Sequence, residues 1–146
     1  RLVKLGTSGW SAGEFINFDQ NRIVFRLADI ILLRAECRVR LGNNEGAIAD
    51  LNTIRERANA ELYHSSEYGG DLRYAIFKER EKELLMEGCR WYDVIRNEYY
   101  KTELYGGFRN VSKQDILDGV FFNAVDNNEF SENPLARQNT YWLKRM

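Results

Sequence analysis

Proline is almost missing from this sequence. Pro134 is the only one, so nothing before residue 133 is forced out of a helix by a fixed φ or a missing N–H. Two cysteines, Cys37 and Cys89, are too few for a disulfide framework. Each stands in a helical context, where a small buried thiol is the expectation. The sole histidine, His64, lies in no CxxC, Cys/His or Glu-x-x-His pattern, so the sequence offers no metal site, and no motif in it requires a cofactor. The longest strongly apolar run, residues 30–33, is far too short to cross a bilayer. Lys and Arg total 21 against 22 Asp and Glu, a formal net charge of −1. The overall field therefore favours neither nucleic acid nor an anionic membrane. The chain opens on Arg1 with no signal sequence and reads as an excised fragment or a processed chain.

What is present is helical periodicity. Residues 1–22, with Gly6, Gly9 and Gly13 around Trp10, read as a loop or short-strand lead-in. From Ile23 to Leu41, Ala28, Ile31, Leu32, Ala35 and Val39 share one helical face. Gly42-Asn43-Asn44 is a stop-and-restart signal. A second helix over Glu45–Asn59 carries the stripe Ala47, Ile48, Leu51, Ile54 and Ala58. Helices joined by so short a turn must be antiparallel. Ala35, Gly42, Ala47, Leu51 and Ile54 supply part of a tetratricopeptide signature. A second pair is expected at Asp71–Glu87 and Arg90–Asn97, divided at Gly88. The fold class is therefore all-α. Tetratricopeptide-like antiparallel hairpins over residues 23–97 precede an irregular, loop-rich tail, residues 98–146, in a single domain. Repeats bury their faces only against neighbours, so these helices call for further partners. In the tail, Ser112 is placed to cap a short helix reaching Asp118, and Phe121, Phe122 and Val125 suggest an extended piece.

Charge is concentrated between Asp71 and Asn97. Glu79, Glu83 and Glu87 recur every four residues and would stack along one helical face, where like charges repel. Such a ladder needs cations, and Arg80, Arg90 and Arg96 lie near in sequence, while Arg55 and Arg57 could reach it from the second helix. Asp93 joins the same network with Trp91 as the core anchor. The apolar Leu72, Ile76, Leu84 and Met86 lie close to the carboxylates without a cleanly separate face, so the helix is expected to enter the core with some of its charges. A glycosidase reading of the ladder meets an obstacle. Arginine neighbours lower a carboxyl pKa, whereas a general acid needs it raised. Nothing in the sequence brings Cys89 and His64 together as a nucleophile pair.

Four stretches of the chain resemble the C-terminal part of the SusD/RagB family: RLADIILLRAE (residues 26–36), LNTIRERA (51–58), EREKELLMEGCRWYDVIR (79–96) and NPLARQNTYW (133–142). Cys89, Thr140 and the segment 119–125 depart from the family's pattern. The resemblance implies a helical scaffold that takes part in glycan capture without catalysis. It implies an oligosaccharide ligand, a SusC-like TonB-dependent transporter as partner, and a place on the outer-membrane surface through an N-terminal lipid anchor absent from this chain. It transfers no ligand-binding residue. Sugar recognition by flat aromatic faces makes Trp10, Tyr68, Tyr99, Tyr100 and Tyr105, all in loop-like segments, the candidates. The rival classes are a soluble tetratricopeptide adaptor that binds peptides and, further off, a glycoside hydrolase built on the ladder.

Overall fold

The computed structural model of the chain describes residues 24–145, apart from the side chain of Asn127. The described residues form helices and turns, with no strand among them. Helix α1 (Leu27–Arg40) and helix α2 (Asn44–Arg57) are joined by a turn in which Gly42 takes φ +77°. The Asn43 side chain caps α2 by accepting the Gly46 N–H. Arg38 donates to the Gly46 carbonyl and Arg34 to Asp50, so partners step back along α2 as they step forward along α1 and the pair is antiparallel. Ala28, Leu32 and Ala35 of α1 meet Ala47, Leu51 and Ile54 of α2 in the core, with Ile31, Val39 and Ile48 at its edge. Helix α3 (Leu72–Glu83), capped by Asp71 through the Tyr74 N–H, closes that core with Leu72 and Ile76.

The third helix stops at Glu83, four residues short of the expected end. In a continuing helix the Glu83 carbonyl would accept the N–H of Glu87. Here Arg26 donates to that carbonyl, and the Glu87 N–H turns back to Leu84. Met86 and Gly88 then take positive φ, 65° and 81°, and the chain reverses into helix α4 (Arg90–Arg96). Two anchors expected in the core are displaced as a result. Met86 is 85% exposed at the tip of the turn, and Trp91, 36% exposed, packs against Phe108 and Phe121 of the tail. Leu84, Val94 and Phe77 are the buried apolar residues there.

The tail holds short helices: α5 (Tyr100–Glu103), α6 (Lys113–Asp118), α7 (Asn127–Glu132) and α8 (Thr140–Leu143), with a 3₁₀ turn at Gly106–Asn110. Ser112 and Asp115 form a reciprocal capping box on α6, and Gly119 closes that helix in the left-handed region. The segment around Phe121, Phe122 and Val125 is a turn and irregular chain, not an extended strand. Side chains take its backbone groups: the Gln138 amide bonds both the N–H and the carbonyl of Val125, and the Trp142 indole N–H donates to the Phe122 carbonyl at 2.7 Å. Cys37, expected to be buried, is exposed. It lies on the outward face of α1 with Leu27, Ile30 and Leu41, opposite the stripe that meets α2.

Candidate functional site

The charged stretch of α3 and α4 is partnered mainly by arginines from elsewhere in the chain. Arg55 of α2 donates Nε to Glu79 at 2.9 Å and forks onto Glu67 at 2.8 and 2.9 Å, tying the segment after α2 to α3. Glu83 accepts from Arg57 and from Arg26, and Arg26 also holds Glu87. The neighbours in sequence point away from the ladder. Arg80, 2% exposed, sits between Asp29 of α1 at 2.8 Å and Asp93 of α4 at 2.9 Å. Arg96 spans Asp93 at 2.6 Å and Glu36 at 2.9 Å. Arg90 reaches Glu81 and Glu103 and lies 4.3 Å over the Phe77 ring. Geometry explains part of the division: adjacent residues on a helix point about 100° apart, so Arg80 faces α1 and α4 and not Glu79, whose same-face neighbour Lys82 lies 3.7 Å away.

Arginine partners hold Glu36, Glu67 and Glu83 as anions. Burial pushes the Glu83 carboxyl up, but hydrogen bonds and charge from Arg26 and Arg57 outweigh it and keep it below the usual range. Burial likewise opposes ionisation of Glu36, and Arg96 overcomes it. The Arg55 fork takes Glu67 down to about 2. Held in this way, Glu83 accepts hydrogen bonds and lacks the raised pKa that a general acid needs. Cys89 donates to the Glu87 carbonyl at 3.8 Å, and burial pushes its thiol up, away from the reactive thiolate. His64 faces Glu61 at 3.3 Å. An open cleft of about 270 Å³ lies at the α3–α4 elbow, with Leu84, Leu85, Met86 and Cys89 among its walls.

The aromatic residues proposed for sugar contact fall into different settings. Trp10 lies outside the described residues. Tyr68 stands edge-on to Tyr74, with ring centres 5.3 Å apart. Tyr99 packs on Phe77 at 4.6 Å and on Tyr74 at 5.2 Å, which makes it a packing residue more than an open platform. Tyr100 opens α5 and rests on Phe121 at 5.1 Å. Tyr105 alone of the described four projects fully, 84% exposed, with the Arg109 guanidinium 5.4 Å from its ring centre.

Several network members were not singled out from sequence: Arg26, Asp29, Glu36, Glu67 and Glu103. One signal was there to be read. Asp29 and Glu36 are seven residues apart, hence on one face of α1, and that face meets Arg80 of α3 and Arg96 of α4. Glu67 and Glu103 carry no periodic signal, because they come from short irregular segments.

These observations define a helical scaffold whose buried charges are locked in arginine–carboxylate pairs. The family model described as the SusD family matches residues 6–143, and the chain belongs to that family. It is similar to two proteins of Formosa agariphila. SusD-like protein P38 is 33% identical over 124 residues, which is 79% of this chain and 24% of that protein. SusD-like protein P25 is 45% identical over 85 residues, 55% of this chain and 16% of that protein. The chain thus spans a quarter or less of the length of these relatives. No solved structure matches it significantly.

Proposed function

We propose that this chain is the helical scaffold of a glycan-capturing component of an outer-membrane nutrient-uptake complex, non-catalytic and docked on a SusC-like TonB-dependent transporter. The observation that carries the reading is the family match over residues 6–143. The arginine-locked carboxylates support the non-catalytic part, since each rung is held as an acceptor. In this reading residues 1–146 act as one unit, a lipid anchor outside this chain holds the protein at the cell surface, and the glycan is gripped by aromatic faces carried on the rigid helices. The outward stripe of α1, with Leu27, Ile30 and Leu41, is the face on which further helices of the full-length protein would rest.

Native affinity electrophoresis of the full-length protein in gels containing single polysaccharides tests the capture. Retardation by one polymer and not by the rest is expected, and uniform migration in every gel would refute it. Co-purification from detergent-solubilised outer membranes tests the docking, with a TonB-dependent transporter as the expected companion. Incubation with the same polysaccharides tests the hydrolase reading. Sustained release of reducing ends, abolished by Glu83→Gln, would replace the proposal with an enzyme.

A further inference from the structure

Arginine is almost always committed in this structure. Among the described residues only Arg73, Arg109 and Arg137 lack a carboxylate partner. Arg73 is held by Asn97 and lies over the Tyr99 ring, and Arg137 curls onto the carbonyls of Pro134 and Ala136. Arg109 has a single long hydrogen bond, to the Thr102 carbonyl at 3.4 Å, and lies over the most exposed tyrosine of the described chain. The guanidinium shares the ring with solvent, so much of the aromatic surface stays open.

The pair is also held in place. Tyr105 immediately precedes, and Arg109 lies within, a 3₁₀ turn, Gly106–Asn110, which Gly106 enters at φ +68°. Between them Phe108 turns inward, edge-on to Trp91 at 5.5 Å and 6.2 Å from Phe121. That anchor fixes the turn on α4, and Arg109 follows Phe108 by one residue on the same turn. A rigid aromatic beside a guanidinium loses little conformational freedom on binding. The ring offers a flat apolar face for the C–H face of a pyranose. The guanidinium offers paired N–H donors in the fork geometry that suits a carboxylate or sulfate. The net charge of −1 gives no general attraction to a polyanion, so selectivity would have to be local.

We infer that Tyr105 and Arg109 form a subsite for an anionic sugar residue, the ring stacking on the pyranose and the guanidinium binding its carboxylate or sulfate ester. This rests on the glycan-capture reading and specifies the class of ligand. The test is affinity electrophoresis of the full-length protein at fixed ionic strength in gels with matched polymers: polygalacturonate against its highly methyl-esterified form, and dextran sulfate against dextran. The first pair reports a uronate ligand and the second a sulfate. The charged member of at least one pair should retard the protein more than its neutral match. Arg109→Gln should weaken that retardation about fivefold, the ratio for an exposed charged contact of about 1 kcal/mol. Tyr105→Ala should weaken it similarly, Tyr105→Phe should retain it, and Arg137→Gln should leave it unchanged. Thermal melts of all variants should coincide, since neither side chain is buried. Retardation by a neutral polymer that both variants leave untouched would overturn the inference and leave glycan capture standing. Loss of melting temperature in Tyr105→Ala without change in retardation would assign the residue to packing instead. Free migration in every gel would overturn both readings.

Discussion

Arg80 is the side chain on which three helices converge, and its removal should be among the most damaging single changes in the described residues. It projects from α3, reaches Asp29 of α1 and Asp93 of α4, and donates Nη1 to the main-chain carbonyl of Asp29 at 3.1 Å. Both carboxylates are buried, 4% and 2% exposed. Arg80→Met keeps much of the aliphatic stem and deletes the charge. Asp93 retains Arg96, but Asp29 has no second cation within ion-pair distance among the described residues. Breaking a buried pair by removing one partner costs about 3–5 kcal/mol, because the other charge is left desolvated. For a chain of this size that corresponds to a melting temperature lower by roughly 6–20 °C. Circular dichroism melts and urea titration at neutral pH measure it. Arg80→Met combined with Asp29→Asn should be less destabilised than the sum of the single variants, because the stranded charge is gone. A shift below about 3 °C for Arg80→Met would mean that water reaches the site or the helices repack, and would refute the claim of a desolvated hub.

Glu83→Ala should be milder, about 1–3 kcal/mol, because Arg26 and Arg57 are left near the surface where water can solvate them; urea midpoints against Arg80→Met give the ranking. Phe77→Ala, at a site 1% exposed among Tyr74, Tyr99 and Arg90, should cost about 3–5 kcal/mol by leaving a cavity, read from the same titrations. Glu67 has a carboxyl pKa depressed to about 2 by Arg55, so its contribution is complete above the unfolded value and is lost as pH falls from about 4.5 towards 2. Acid titration of stability should therefore be flatter across that window in Glu67→Gln than in the parent. Gly88→Ala should cost about 1 kcal/mol in thermal melts, since φ +81° strains any side chain although nothing lies within 4 Å of the added Cβ.

The helical hairpin was legible because its signal is local. Ala28, Leu32 and Ala35, then Ala47, Leu51 and Ile54, repeat at helical spacing, and Gly42-Asn43 marks the turn between them. The same holds for the cap at Ser112, where the Ser and Asp types at fixed offset declare a helix start. The end of α3 was not legible, because a side chain 57 residues away decides it. Arg26 takes the Glu83 carbonyl that helix continuation would use, and no window around Glu83 contains that information. The pairing of the ladder was legible in part, since Arg55 and Arg57 of α2 reach Glu79 and Glu83 as expected. Nearness in sequence also suggested Arg80 and Arg90, whereas Arg80 turns to Asp29 and Asp93, Arg90 lies beyond the turn in α4, and Arg26 takes Glu83 and Glu87 instead. The burial expected for Cys37 and Trp91 depended on which face of a helix finds a neighbour, and periodicity does not say that for a face with mixed residues.

The placement of the ion pairs also bears on where specificity can reside. Three of the stretches that resemble the family, residues 26–36, 51–58 and 79–96, contain both ends of Arg26–Glu83, Arg55–Glu79, Arg80–Asp29, Arg80–Asp93 and Arg96–Glu36. Those stretches therefore encode closure of the helices, and a change at either end of a buried pair is felt as a stranded charge. Tyr105 and Arg109 lie outside all of them, on a turn attached to the scaffold through Phe108. Substitutions at those two exposed positions alter what the surface offers a ligand without unpairing any buried group, so the physical cost of changing ligand is low there and high throughout α3 and α4. A scan of the two regions, scoring melting temperature beside polysaccharide retardation, should separate cleanly: large thermal losses at network positions, and changes in retardation without thermal loss at 105 and 109. Thermal losses of equal size in both regions would show that the turn around Tyr105 is itself part of the scaffold.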